Sequence, residues 1–271
     1  MKNVNKVLPL KLFFCTLALI LASLDVSAKE LKWYISDFFP CHILHGALKG
    51  TGFCDEVLSH LQRALPQYQH SIEPVVLSKL VSSPDVGEQF CTLQLLKTEK
   101  RQTRFNFTDY FLEVDNNGIF IRASDTRFEP FMVNEYTISL TRLFQDYDLI
   151  LARDTSRVYG AVIDDLISGA ATKVTQVLLN SDAKYAELLK NGRIDYTIAY
   201  PTELHDLVTG SVPAELKFLE IEEPQPRVFA HASCSKLVNK QVLNDINAVI
   251  LKHRDSVFIE FYQRWLPPVN R

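Results

Sequence analysis

The sequence predicts an α/β protein of two lobes, each built on a mostly parallel sheet flanked by helices. Three observations lead there: strands alternate with amphipathic helices over 31–92, a second alternation runs over 137–199, and a strand with two helices follows from 227. Each parallel return needs a crossover long enough to hold a helix, so strand–helix alternation marks a parallel sheet. The chain of 271 residues, 47% hydrophobic and 23% charged, has room for one large or two modest domains.

The first strand is 31–36 (LKWYIS), alternating and aromatic, stopped by Asp37-Phe38-Phe39-Pro40. Gly50-Thr51-Gly52 then precedes a helix with Phe53, Val57, Leu58, Leu61 and Leu65 on one face. Asp55 and Glu56 lie in its first turn, where carboxylates suit the helix dipole, and Pro66 closes it. A second strand follows at 70–77, a short helix at 77–81 and a third strand at 88–92.

Residues 118–123 (GIFIRA) read as a strand leaving this first unit. In the second series, 149–152 is strand-like and Thr155 or Ser156 can cap the helix after it. A strand at 173–179, a helix at 183–189 and a strand at 194–199, ended by Pro201, complete the series. The last part reads as a strand at 227–233 and helices at 238–252 and 256–265. Crossings near Phe120 and Glu222 assign 29–119 plus 223–271 to lobe 1 and 120–222 to lobe 2, with a cleft between them. Ligands of α/β sheets bind outside the carboxyl ends of strands, so the loops after Ser36, Thr92, Ala152 and Ala199 are the expected seat of chemistry.

The N-terminus reads as a cleavable secretory signal. Lys2, Lys6 and Lys11 precede an apolar run at 12–21, and Val26-Ser27-Ala28 supplies the small residues of a cleavage site before Lys29. The mature protein is then expected in the periplasm. Removing 1–28 takes away three Lys and one Asp, which moves the formal charge from −3 to −5. An acidic exported protein has no general attraction for phosphate backbones, which argues against nucleic acid as a partner of the basic residues Lys97, Lys100, Arg101 and Arg104. Cys41, Cys54, Cys91 and Cys234 remain, enough for two disulfides in three connectivities. Cys41 to Cys54 is favoured because it closes a short loop.

Thr98-Glu99-Lys100-Arg101-Gln102, followed by Phe107-Thr108-Asp109, resembles the TEKRQ and FTD segment of the family 3 periplasmic solute-binding proteins, the amino-acid binders of ABC transporters. Gly52-Phe53 at the first helix, Asn191-Gly192-Arg193-Ile194-Asp195 before a second-lobe strand, and a final helix ending near 262–266 agree with that family over nearly the whole mature chain. The resemblance implies a type 2 periplasmic-binding-protein fold that closes on a small ligand, with a permease or a sensor receptor as partner. It also implies that Arg101 grips the ligand carboxylate, for which a planar guanidinium is well shaped. The second lobe would meet the same carboxylate with Thr155 and Ser156, as ligand donors or as plain helix caps, although Asp154 beside them would repel an anion.

The family's counterion for an α-ammonium group falls here on Tyr200, which cannot replace a carboxylate. Gln94 and Leu96 replace the family's first-lobe serines. An ordinary α-amino acid is therefore doubtful as ligand. Asp37 can accept a ligand amine or cap a turn, Phe39 is a candidate for the cleft, and Tyr159 and Tyr200 are candidates to meet the ligand from the second lobe.

Cys41, His42, His45 and Cys54 could be drawn as a metal site, but their spacing is irregular and export favours disulfides. No phosphate loop, nucleophile elbow or catalytic triad spacing is present, and no cofactor is expected. A monomeric binding protein is the expectation. The rival is an enzyme resembling the cyclohexadienyl dehydratases of this fold, with Asp37, Glu99 or His231 as its acid or base.

Overall fold

A computed structural model of the chain describes residues 29–145, 148–154, 156–170, 174–176, 183–204 and 213–266. The expected signal segment, 1–28, lies outside them. Among the described residues, no helix is long and apolar enough to cross a membrane.

The first sheet has five strands in the order β2-β1-β3-β11-β4, with β1 at Lys29–Ile35, β2 at Tyr68–Pro74, β3 at Cys91–Thr92, β4 at Phe105–Val114 and β11 at Val228–Ser235. Its helices are α1 (Phe53–Ala64), α2 (Leu77–Ser82), the single turn α3 (Glu99–Gln102), α7 (Lys240–His253) and α8 (Ile259–Gln263). Phe53, Val57, Leu58 and Leu61 of α1 and Ile246 and Ile250 of α7 bury against Trp33, Phe111 and Ala232 of the sheet. The i, i+4 spacing read in the sequence is thus the packed face.

The second sheet has six strands in the order β6-β10-β5-β9-β7-β8, with β5 at Gly118–Arg122, β6 at Thr137–Ile138, β7 at Leu151–Arg153, β8 at Val174–Gln176, β9 at Tyr196–Ala199 and β10 at Leu216–Ile221. It carries α4 (Leu140–Leu143), α5 (Ala161–Gly169) and α6 (Ala183–Lys190). Arg122, Arg127, Asp125 and Asp195 knit one end of it together, with contacts of 2.6–3.0 Å.

Both sheets are mostly parallel. In each, a single strand runs against the rest: β11 in the first and β5 in the second. These are the two strands by which the chain enters each sheet after a crossing, between Val114 and Gly118 and again between Ile221 and Val228. Gly118 and Ile119, assigned above to lobe 1, pair with β9 and β10 in the second sheet. The two crossing segments are tied together, because the Gln225 side-chain amide donates to the Asn117 carbonyl at 2.9 Å.

Two disulfides are present, Cys41–Cys54 and Cys91–Cys234. The first is the pair favoured from the sequence. The second staples β3 to its antiparallel neighbour β11 at directly opposed positions.

Candidate ligand-binding site

The loops expected from the strand pattern converge on one cavity of about 130 Å³, lined by residues of both sheets. The turn after β1 contributes residues 36–41, the loop after β3 contributes 93–96, and α3 adds Arg101. Across from them stand Asp154 and 157–159 after β7, and Tyr200, Thr202, Glu203 and Leu204 after β9. An apolar cavity of about 150 Å³ accepts a benzene molecule. A single ring or a short aliphatic chain is therefore the size of body that this space suits.

The first-lobe wall is fixed by backbone contacts. The Gln94 amide brackets Ser36, donating to its carbonyl at 2.7 Å and accepting its N–H at 2.6 Å. Asp37 Oδ1 accepts the Leu44 N–H at 3.1 Å, the turn-capping role. Asp55 accepts the amides of Ile43 and Gly52, both at 3.1 Å, which locks the start of α1 onto the loop. Gly52 is required by close approach, since an added Cβ would lie under 3.0 Å from the carbonyl oxygens of Pro40 and Cys41. Cys41, His42 and Cys54 do come together. Their sulfurs, however, are bonded to each other, and His42 Nδ1 faces Asp55 Oδ1 at 2.6 Å.

Arg101 lies on this wall. Thr98 caps α3 by accepting the Arg101 N–H at 3.2 Å, and the guanidinium donates to the Leu96 carbonyl at 3.2 Å. It forms no ion pair among the described residues. Burial pulls its pKa down, with Asp164 and Tyr200 acting in the opposite direction. A desolvated cation at a cavity wall is the electrostatic requirement for an anion site. Lys97 and Lys100 are exposed. Arg104 pairs with Asp85 at 2.7 Å and donates to the Val81 carbonyl.

The structure brings Asp37, Phe39, Gln94, Arg101, Tyr159 and Tyr200 together at the cavity. Phe39 also packs edge-on against Trp265, with ring centroids 5.3 Å apart. Burial pushes the phenols of Tyr159 and Tyr200 up to about 12, with Arg157 opposing, so both are neutral at neutral pH.

Thr155 lies outside the described residues. Ser156 is not among the residues lining the cavity, and its N–H donates to Asp154 Oδ1 at 2.7 Å. The helix it was expected to cap begins five residues later, at Ala161, behind Gly160 with φ of 108°. Asp164, in the first turn of that helix, accepts the amides of Tyr159 and Gly160 at 3.1 and 3.2 Å. Those two donors are thus occupied from within the chain.

Three residues that line the site were not among its candidates, Phe38, Arg157 and Glu203, nor was Asn117, which bonds to one of them. Arg157 meets Glu203 through two contacts of 2.6 Å, with side chains 12% and 1% exposed. Burial penalises the Arg157 cation, but the charge and hydrogen bonds of Glu203 oppose that penalty, and its pKa is held above the ordinary value. Glu203 is pushed up by burial against the pull of Arg157. With bidentate geometry we take the pair as ionised. Asn117, at the first crossing, accepts from Arg157 at 3.2 Å and donates to the Tyr159 carbonyl at 3.1 Å.

No family model matches the chain. No curated protein matches it either. Solved structures do. An ancestral amino-acid-binding protein described as a precursor of cyclohexadienyl dehydratase aligns at 12% identity with a TM-score of 0.69, covering 93% of this chain and all of that one. An amino acid ABC transporter substrate-binding protein from Streptococcus pneumoniae, bound to L-arginine, aligns at 14% identity and 0.68, covering 88% of this chain and 93% of its own. A periplasmic binding protein of Salmonella typhimurium with high arginine specificity aligns at 14% identity and 0.65, covering 89% of this chain and all of its own. At these identities the likeness is one of architecture, and it establishes that the chain has the two-lobed α/β fold seen in amino-acid substrate-binding proteins.

Proposed function

We propose that the chain is an exported solute-binding protein that closes on a small carboxylate-bearing or anionic ligand. It would deliver that ligand to an ABC-type permease or to a sensor receptor. The observation that carries this is Arg101, a half-buried guanidinium at a cavity lined by both sheets and free of any ion pair among the described residues. The N-terminal pattern of a basic start, an apolar run and small residues before Lys29 supports export to the periplasm, and a monomer is part of the same proposal. Closure is a hinge motion about 115–117 and 222–227, driven by a ligand that touches both lobes only in the closed state.

A thermal-shift screen of organic acids, amino acids, polyamines and aromatic acids identifies the ligand, because saturation stabilises the folded state. A charge-assisted pair contributes about 1.5–3 kcal/mol net, so Arg101→Ala weakens binding by roughly ten- to a hundredfold. Equal affinity in the variant refutes the anchor. The enzymatic alternative has one specific support, the likeness to a dehydratase precursor. Of its candidate groups, Asp37 alone lines the cavity. Incubation with prephenate or arogenate, followed for an aromatic product, decides it.

A further inference from the structure

Arg157 is the second cation at the cavity and, unlike Arg101, its charge is matched within the chain. Its guanidinium carbon lies 5.2 Å from the centre of the Phe38 ring, 5.0 Å from that of Tyr159 and 5.1 Å from that of Tyr200. In the same place Glu203 takes two of its N–H groups and Asn117 a third contact. Three ring faces around a planar cation, with a buried carboxylate at its edge, form a receptor for a guanidinium or ammonium ion. Here the ion is a side chain.

We propose that Arg157 is a tethered occupant of the cation half of this cavity, so that the protein selects carboxylates with an uncharged body and rejects the matching α-amino acids and guanidinium compounds. This rests on the reading of the Arg101 cavity as the ligand site. Arg101 and the Arg157–Glu203 pair line the same cavity, so a ligand held at Arg101 shares that space with a carboxylate already paired to Arg157. The other acids on the wall are engaged with backbone, Asp37 with the Leu44 N–H and Asp154 with the Ser156 N–H. Solved proteins of this fold hold free arginine. In this chain the guanidinium between the three rings is supplied by Arg157.

The first test uses the wild-type protein and calorimetry with pairs that differ by one α-ammonium group: 3-phenylpropanoate with phenylalanine, 4-methylpentanoate with leucine, butanoate with 2-aminobutanoate. In any pair that binds, the member without the ammonium is expected to bind at least tenfold tighter. An amino acid that binds as tightly as its partner, with Asp37 or Asp154 as counterion, overturns the proposal. The second test removes the tether and supplies its head group. Arg157→Ala is expected to bind ethylguanidinium at least tenfold tighter than wild type, with a saturable rise in melting temperature. Equal binding by the two proteins overturns it. If the variant folds only in the presence of ethylguanidinium, the yield of soluble protein on refolding is the readout, and no recovery counts against the proposal. Arg101 is intact in both tests, so failure here leaves the anion anchor standing, and failure of Arg101→Ala leaves the cage standing.

Discussion

Replacing Glu203 by Gln tests whether the Arg157–Glu203 contact is a desolvated ion pair. The substitution keeps the shape and one acceptor but removes the charge that balances Arg157. With side chains 12% and 1% exposed, solvent does little to screen the loss. Breaking one half of a buried pair costs about 3–5 kcal/mol, and the acceptor that Gln retains favours the lower end. For a chain of this size each kcal/mol moves Tm by about 2–4 °C, so a fall of roughly 6–20 °C is expected. Replacing both partners, Arg157→Met with Glu203→Gln, leaves no uncompensated charge and should recover most of that loss. Urea denaturation of the two variants and of Arg157→Met alone completes a double-mutant cycle. If Glu203→Gln costs less than about 1 kcal/mol, or the double variant is no more stable than the single one, the pair is not what holds this side of the cavity.

Three further outcomes are expected. In the chain-entropy relation a disulfide across 13 residues contributes about 3 kcal/mol and one across 143 about 5 kcal/mol. Cys91→Ala/Cys234→Ala should therefore lower the urea midpoint more than Cys41→Ala/Cys54→Ala, and the reverse order would contradict it. Arg127, with help from Arg122, holds the Asp125 carboxyl down to about 2, below its value in the unfolded chain. A depressed acid stabilises the fold above pH 4 and loses that contribution as pH falls toward 2. After partial solvent screening the effect is about 1–2 kcal/mol. Urea midpoints of wild type and Asp125→Asn should thus converge as pH falls from 5 to 2.5, and a pH-independent gap would refute this. Finally, Gly52→Ala forces a Cβ against the Pro40 and Cys41 carbonyls and should cost about 1–3 kcal/mol, read by thermal melting. A neutral result would mean that this loop yields freely.

The fold was legible where apolar periodicity was clean. The α1 stripe and the strand–helix alternation of 31–92 carry their own signal, and they appear with ends shifted by a few residues. The strand β4 has no clean signal in the sequence because its buried positions, Phe105, Thr108, Phe111 and Leu112, do not keep a period of two. Register shifts against β11 at Ala230/His231 and His231/Ser233 explain the slip. The helix start at Gly160 was missed because Thr155 and Ser156 are better caps by residue type. Ile163 and Ile167, with Asp164 in the first turn, would have placed it correctly. Arg101 was found through a motif. Arg157 and Glu203 had none, since 46 positions separate them and their pairing exists only after β7 and β9 lie side by side.

The position of β11 also sets an order on assembly as the chain emerges from its N-terminus. All described strands of the second sheet lie in one uninterrupted run, 118–221, so that sheet has every partner in hand before 228 appears. The first sheet does not. Strand β4 pairs with β11 alone, and Cys91 waits for Cys234, so the earlier-made unit is the later one to close. During that interval the unpaired edge of β4 needs protection, and whatever shields nascent chains must hold on until 228–235 is out.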